Sequence, residues 1–188
     1  GDYCMFMGND DLMAEGALLA VSNCIERHEN IGVLIRSYAS FNNSPDNIDQ
    51  VFRYFPTEVF FNKGSQAVVS AFRRCVVIPG VVIKVDLAKS ISTSRFDGTL
   101  LYQLYLVGNI LMNSNAVFLP DIITLYRNNG VPEFGNAEAE KSVFVPGNRT
   151  IESSVGFVRG MLDVAFDLDQ NHDIAVYDGI VSDIGNYS

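Results

Sequence analysis

The alternation of apolar and polar positions divides the chain into short elements of two periods. Tyr3 to Met7 is a continuous apolar run met at once by Gly8-Asn9-Asp10-Asp11, which reads as a buried strand whose end opens into a polar loop. Between Glu15 and Glu29, Ala17, Leu18, Val21, Cys24 and Ile25 recur at helical spacing, with Glu26, Arg27 and Glu29 on the other face. Ile31 to Phe41 reads as a second strand, apolar and β-rich from Ile31 to Ile35. Strand, helix and strand in that order imply a βαβ unit with parallel pairing and a right-handed crossover.

Beyond the turn-rich Asn42 to Asn47, the pattern predicts a short helix over Ile48 to Tyr54 and a longer amphipathic one over Asn62 to Arg74. Cys75 to Ile78 is apolar and β-branched and ends at Pro79-Gly80, while Val81 to Ser90 fits helix or strand equally. Gly98 to Met112 reads as a helix, with Leu100, Leu101, Leu104, Val107 and Leu111 mainly on one stripe. Ala116 to Tyr126 reads as a strand interrupted at Pro120-Asp121, the mark of an edge or a bulge. Asn128 to Asn148 is rich in Gly, Pro and Asn and reads as a long loop, and Thr150 to Leu168 as a helix running into an acidic stretch with Asp163, Asp167, Asp169 and Asp173. The whole reads as one α/β domain followed by loop and helical additions.

Composition narrows the classes of function. Apolar residues make up 48% and charged ones 19%, as in a folded globular chain. A net charge of -9 gives no gain from counterion release, so no nucleic-acid partner is expected, and the Arg73-Arg74 pair reads as a solvated helix end. Cys4, Cys24 and Cys75 are odd in number and lack C-x-x-C spacing, and no histidine is counted as their neighbour in sequence. Neither a disulfide framework nor a zinc site is therefore expected. The first residues carry no basic n-region, and the longest apolar stretch, Leu100 to Met112, falls short of a bilayer span. A soluble or membrane-surface chain is expected. Opening on Gly1-Asp2 just before an apolar run and closing at Asn186-Tyr187-Ser188, it reads as a piece of a longer protein.

The acidic loop holds the most informative chemistry. Two adjacent carboxylates, Asp10 and Asp11, leave a buried strand at the end where open α/β sheets bind ligands. Hard oxygen donors there suit Mg²⁺ or Mn²⁺ with substrate phosphate oxygens completing the shell. The alternative is that Asn9-Asp10-Asp11 caps the next helix and complements its dipole. Gly80 could admit a ligand close to the backbone or could simply form a Pro-Gly turn. His28 and His172 are isolated, His28 reading as a surface residue near two glutamates. Phe52, Tyr54, Phe55, Phe60 and Phe61 could line a sugar or lipid site or belong to the core, and Arg127 could pair a phosphate.

Tyr3 to Leu12 resembles the segment of family 2 GT-A glycosyltransferases in which an apolar strand runs into an acidic D-x-D motif. Phe96-Asp97-Gly98-Thr99, followed by a helix, resembles the acceptor-side segment of the same family. The resemblance covers roughly residues 1–127, with the abequosyltransferase-like enzymes of surface-polysaccharide synthesis the nearest subgroup. It implies a GT-A-like nucleotide-diphospho-sugar transferase fold lacking its N-terminal nucleotide-binding half, with 128–188 as a loop and helical C-terminal extension. The implied reaction is inverting, metal-dependent transfer of a sugar from a nucleotide-sugar donor to a saccharide or lipid-linked acceptor. The implied place is the cytoplasm, with association at the inner face of the membrane as a further expectation.

Carried over residue by residue, Asp10 falls on the metal-contacting position, with Asn9, Asp11, Gly80 and Gln103 on the substrate side. The family's first acidic position falls on Gly8 or Asn9, and the Glu-Asp pair that supplies the general base is missing, with Gln103 near its place. A glutamine takes no proton at neutral pH, so the base is Asp97 or another carboxylate that reaches in. Asp97 reads equally as a helix N-cap. Two competing readings stay open: a non-catalytic module of the same fold, and another metal-dependent enzyme such as a nucleotidyltransferase, for which no Gly-rich phosphate loop is present.

Overall fold

The computed structural model describes residues 1–97, 101–129, 151–172 and 174–186, of 152–154 the backbone only. Gly98, Thr99 and Leu100, most of the Asn128 to Asn148 loop, Thr150 and Asp173 lie outside the described residues.

Two long strands form the spine. β3 (Ile31–Phe41) and β7 (Asn115–Arg127) run parallel along their whole length, from Ile31 opposite Asn115 to Phe41 opposite Arg127. Every residue of β3 is buried, as expected for a strand covered on both faces and paired on both edges. Around this pair are short antiparallel strands: β1 (Tyr3–Met5), β2 (Leu12–Met13), β4 (Ile48–Phe52), β5 (Val59–Phe61) and β6 (Val82–Lys84). The order is β1-β6-β3-β7-β2, with β4 also on β3 and β5 also on β7.

Each spine strand therefore shares one edge between two partners. β6 takes Val33 and Leu34 of β3, and β4 takes Tyr38 to Phe41. On β7, β5 takes Ala116 to Phe118 and β2 takes Thr124 and Leu125. Pro120 and Asp121 fall in the gap, where the β3–β7 register jumps from Leu119 opposite Arg36 to Ile122 opposite Ser37. The bulge expected at Pro120-Asp121 is present, in a central strand, where no partner asks for the missing proline N–H.

Helix α1 (Ala17–Glu26) covers one face of the sheet through Ala17, Val21 and Cys24, which pack on Ile31, Leu34, Val117, Leu119 and Ile123. Leu18, expected on that stripe, points to solvent at 63% exposure. The other face is covered by α2 (Ser65–Phe72) and α4 (Tyr102–Asn113), with α5 (Ile151–His172) and α6 (Tyr177–Gly185) outside them. The stripe read on α4 is buried at Leu101, Leu104, Val107 and Leu111. The acidic stretch is anchored: the Asp169 carboxylate accepts from the Val176 and Tyr177 N–H groups at the start of α6, and Asp183 pairs with Arg73 and Arg74. The Arg73-Arg74 pair is thus a docking point for α6 and not a solvated end.

Three expectations are corrected. The parallel βαβ unit from β1 to β3 is interrupted, because β6 inserts between them and pairs antiparallel with both. Ile48 to Phe52 is strand, not helix, since Phe52 stacks on Tyr38 of the neighbouring strand with ring centroids 4.5 Å apart. The apolar, β-branched run from Cys75 to Ile78 forms no strand, Cys75 closing a short 3-10 turn (Arg73–Cys75), and the ambiguous Val81 to Ser90 divides into β6 and α3 (Val85–Ile91).

Candidate functional site

Because β3 and β7 are parallel, their carboxyl ends, Phe41 and Arg127, emerge side by side. The loop after β1 is drawn to the same point. The Asp11 carboxylate accepts from the Gly8 N–H at 3.2 Å and from the Arg127 N–H at 3.1 Å. The Arg127 side chain answers by donating to the carbonyls of Asp10 and Asn42, both at 3.4 Å, and lies over the Phe41 ring at 4.8 Å. Asp11 is therefore a clasp between the acidic loop and the end of the spine. It does not cap α1, whose N-cap is Gly16 with no side-chain bond. Burial holds the Asp11 carboxyl above the usual carboxylate range, against the two N–H bonds and with help from Asp10.

Asp10 is exposed, as is Asn9. At Gly8, one of the two positions on which the resemblance places an acid, a Cβ would lie 2.3 Å from Asp11 Oδ2, so a side chain there would push the Asp11 carboxylate off the Gly8 N–H. The loop thus offers one exposed carboxylate, Asp10, beside one already oriented by backbone donors. That set fits Mg²⁺ or Mn²⁺ in the form these ions commonly take, with one or two carboxylates and the remaining positions held by water and phosphate oxygens.

Behind the loop lies a residue that sequence reasoning passed over. Arg36, fully buried in β3, donates Nε to the Pro79 carbonyl at 2.5 Å, Nη2 to Val77 at 2.7 Å and Nη1 to Arg74 at 3.3 Å. Its guanidinium also lies 4.7 Å from the Tyr38 ring centroid. Burial lowers its pKa. A lone charged residue in a strand whose other polar side chains are two serines and a tyrosine was the available signal.

Gln103, on the first turn of α4, holds the same segment, its amide donating to the Val76 carbonyl at 3.2 Å. Gly80 is buried and has φ +84; Thr124 and Arg36 approach it, and a Cβ would meet Thr124 at 2.8 Å. Gly80 and Gln103 are both buried and shape the wall of the site from within.

Asp97 is exposed on the segment before α4. It is not that helix's N-cap, a place taken by Leu101. α4 leads directly into the amino end of β7, and ahead of its first turn Phe96 packs on Tyr105. Among the described residues no hydrogen bond or ion pair joins Asp97 to the Gly8–Asp11 loop.

Beside the Arg36-held segment is a cavity of about 350 Å³ lined by Tyr38, Gln50, Phe52, Tyr54, Arg73 and Val76 among others. The aromatic set therefore divides. Phe52 and Tyr54 face this cavity, Phe55 and Phe61 pack into the core, and Phe60 is 39% exposed.

At the other end of the sheet, Phe60 stacks on His28, and His28 meets Glu58 and Cys24. His28 follows Cys24 by four residues, so the cysteines do have a histidine neighbour, contrary to expectation, and a metal-ligating type of cluster exists there. Burial and the neighbouring Glu58 push the Cys24 thiol up to about 12.

Comparison with protein-family models and with curated proteins gives no match. No described helix is long and apolar enough to cross a membrane. The chain is an α/β protein whose acidic loop is clasped to the carboxyl ends of its two parallel strands.

Proposed function

We propose that the chain is the acceptor-side part of a nucleotide-sugar-dependent glycosyltransferase of GT-A type. The observation that carries this reading is the meeting of the Gly8–Asp11 loop with the ends of β3 and β7, where α/β sheets bind ligands. Asp10 would hold Mn²⁺ or Mg²⁺, which when bound supplies positive charge against a departing diphosphate. Asp11, fixed by two N–H groups, keeps the loop in one conformation, and Arg127 adds a positive charge beside it.

Asp97 is the carboxylate assigned to the acceptor. It removes the proton of an acceptor hydroxyl, the oxygen attacks the anomeric carbon, and the bond to the nucleoside diphosphate breaks with inversion. The aromatic cavity beside Tyr38 and Tyr54 supports a saccharide acceptor, since ring faces pack against the apolar faces of sugars. The engagement of Asp11 by backbone donors favours the competing reading, a non-catalytic module of the same fold.

Titration of the complete gene product with UDP, GDP, CDP and dTDP, with and without Mn²⁺, separates the two. Metal-dependent binding of one nucleotide, abolished in Asp10→Asn, is the expected result. A folded protein that binds none of the four overturns the transferase reading and leaves the loop as a structural clasp.

A further inference from the structure

We propose that Cys24, His28 and Glu58 form a binding site for a zinc-like divalent ion, which fastens the end of α1 to the segment entering β5. The reading is independent of the glycosyltransferase proposal. It concerns the amino ends of the spine strands, whereas the acidic loop lies at their carboxyl ends.

The site is assembled from two elements. Cys24 lies on the last turns of α1, and the His28 N–H still bonds the Ile25 carbonyl at 3.2 Å, so the helical path continues beyond Glu26. Residues four apart on such a path share a face. Glu58 arrives from the other side, directly before β5, which is held in register on β7 by Val59 opposite Phe118. The result is a thiol, an imidazole and a carboxylate with donor atoms all within 4.8 Å of one another. Cys24 Sγ lies 3.5 Å from Glu58 Oε2, and His28 Nε2 lies 2.8 Å from Glu58 Oε1.

These separations suit a small tetrahedral ion. Bonds of about 2.3 Å to sulfur and about 2.0–2.2 Å to nitrogen and oxygen place donor atoms roughly 3.4–3.6 Å apart. Cys24 Sγ is already at that spacing from Glu58 Oε2, while His28 Nε2 lies on the other oxygen, Oε1, so the carboxylate turns to present one oxygen to both. Phe60, stacked on His28 with ring centroids 5.3 Å apart, fixes the plane of the imidazole. Sulfur, nitrogen and oxygen together select zinc or cobalt over the hard ions suited to Asp10.

Access and charge also agree. Cys24 is fully buried, while the side chains of His28 and Glu58 keep 22% and 30% exposure, so an ion enters from the solvent side and ends against the thiol. Arg27 pairs with the same carboxylate, its Nη2 2.5 Å from Glu58 Oε2. At 53% exposure it can leave without a desolvation cost. On binding, the thiol proton passes to solvent, a sulfur–metal bond forms, and no electron is transferred.

The test is a Co²⁺ titration of the chelator-stripped full chain, followed by Zn²⁺ displacement. The expected result is one equivalent of cobalt with tetrahedral d–d bands and a thiolate-to-cobalt charge-transfer band. Cys24→Ser should remove the charge-transfer band and weaken zinc by more than about 100-fold, beyond the loss typical of outer-shell changes. His28→Ala, at a partly exposed position, should weaken zinc similarly while leaving the circular dichroism unchanged. Cys75→Ser should bind as the parent does. Absence of a charge-transfer band in the parent, or its survival in Cys24→Ser, or undiminished zinc affinity in a folded His28→Ala, overturns the proposal.

Discussion

Replacing Arg36 with methionine is the most direct probe of how the site wall is held. Arg36 donates to three carbonyls within one short segment, those of Arg74, Val77 and Pro79, and the segment has little regular structure of its own. Hydrogen bonds to a charged group are worth roughly 1.5–3 kcal/mol each, so the gross loss is roughly 4.5–9 kcal/mol. Against this, removing a buried guanidinium relieves a desolvation penalty of several kcal/mol. Thr124 still donates to the Pro79 carbonyl, so one of the three acceptors keeps a partner. A net loss on the order of 3 kcal/mol follows, a large share of an ordinary domain's stability. Urea denaturation of parent and variant gives the difference directly if the slopes agree.

The loss should also be local. Gly80 N–H bonds the Phe6 carbonyl and Phe6 N–H bonds the Val81 carbonyl, so amide exchange at Phe6 and Gly80 should accelerate before that of β3 and β7. Arg36→Lys should recover only part of the loss, because a single ammonium cannot span the three carbonyls as the fork does. A destabilisation below about 1 kcal/mol in Arg36→Met, with unchanged exchange at Phe6 and Gly80, would refute this account of the buried charge.

Gly80→Ala should cost roughly 2–4 kcal/mol, combining a left-handed φ of +84 with a Cβ 2.8 Å from Thr124; a melt within about 0.5 kcal/mol of the parent would show that the turn relaxes freely. The Cys75 thiol is fully buried, and that burial raises it from 9.0 to about 12. Its contribution to stability is fully present below pH 9.0 and is lost as pH rises toward 12, because the unfolded chain gives up the proton first. Cys75→Ala should flatten the alkaline limb of the stability profile by about 1.4 kcal/mol per pH unit, and an unchanged limb would contradict the assignment.

The parts of the fold that were legible are those where one periodicity excludes the other. α4 announces itself because Leu101, Leu104, Val107 and Leu111 share a face only in a helix. β4 was not distinguishable, since Ile48 and Phe52, four apart, lie on one side of a helix and equally on one side of a strand. What decided it was Tyr38, a residue from another element. The site followed the same division. The acidic loop was visible as residue types at a strand end. The engagement of Asp11 with the Arg127 N–H spans 116 positions, and the hold of Arg36 on Pro79 spans 43, so no local window contains either. Cys24 and His28 were within a single turn of each other, but Glu58 completes the group from 30 residues beyond His28.

The insertion of β6 between β1 and β3 has a bearing on the order in which the molecule assembles. In the sheet Tyr3 and Met5 stand opposite Lys84 and Val82, and β6 must itself settle on Val33 and Leu34 through Ile83 and Val82. During synthesis β1 therefore emerges well before β6, the strand it pairs with. The Asp11 carboxylate waits longer still, until Arg127 has been made. The acidic loop is thus clasped only once the end of β7 has been made, and closing so long a loop carries an entropy cost that the clasp must offset. Weakening of the distant half of β7 would reach Asp10 and Asp11 without altering either residue.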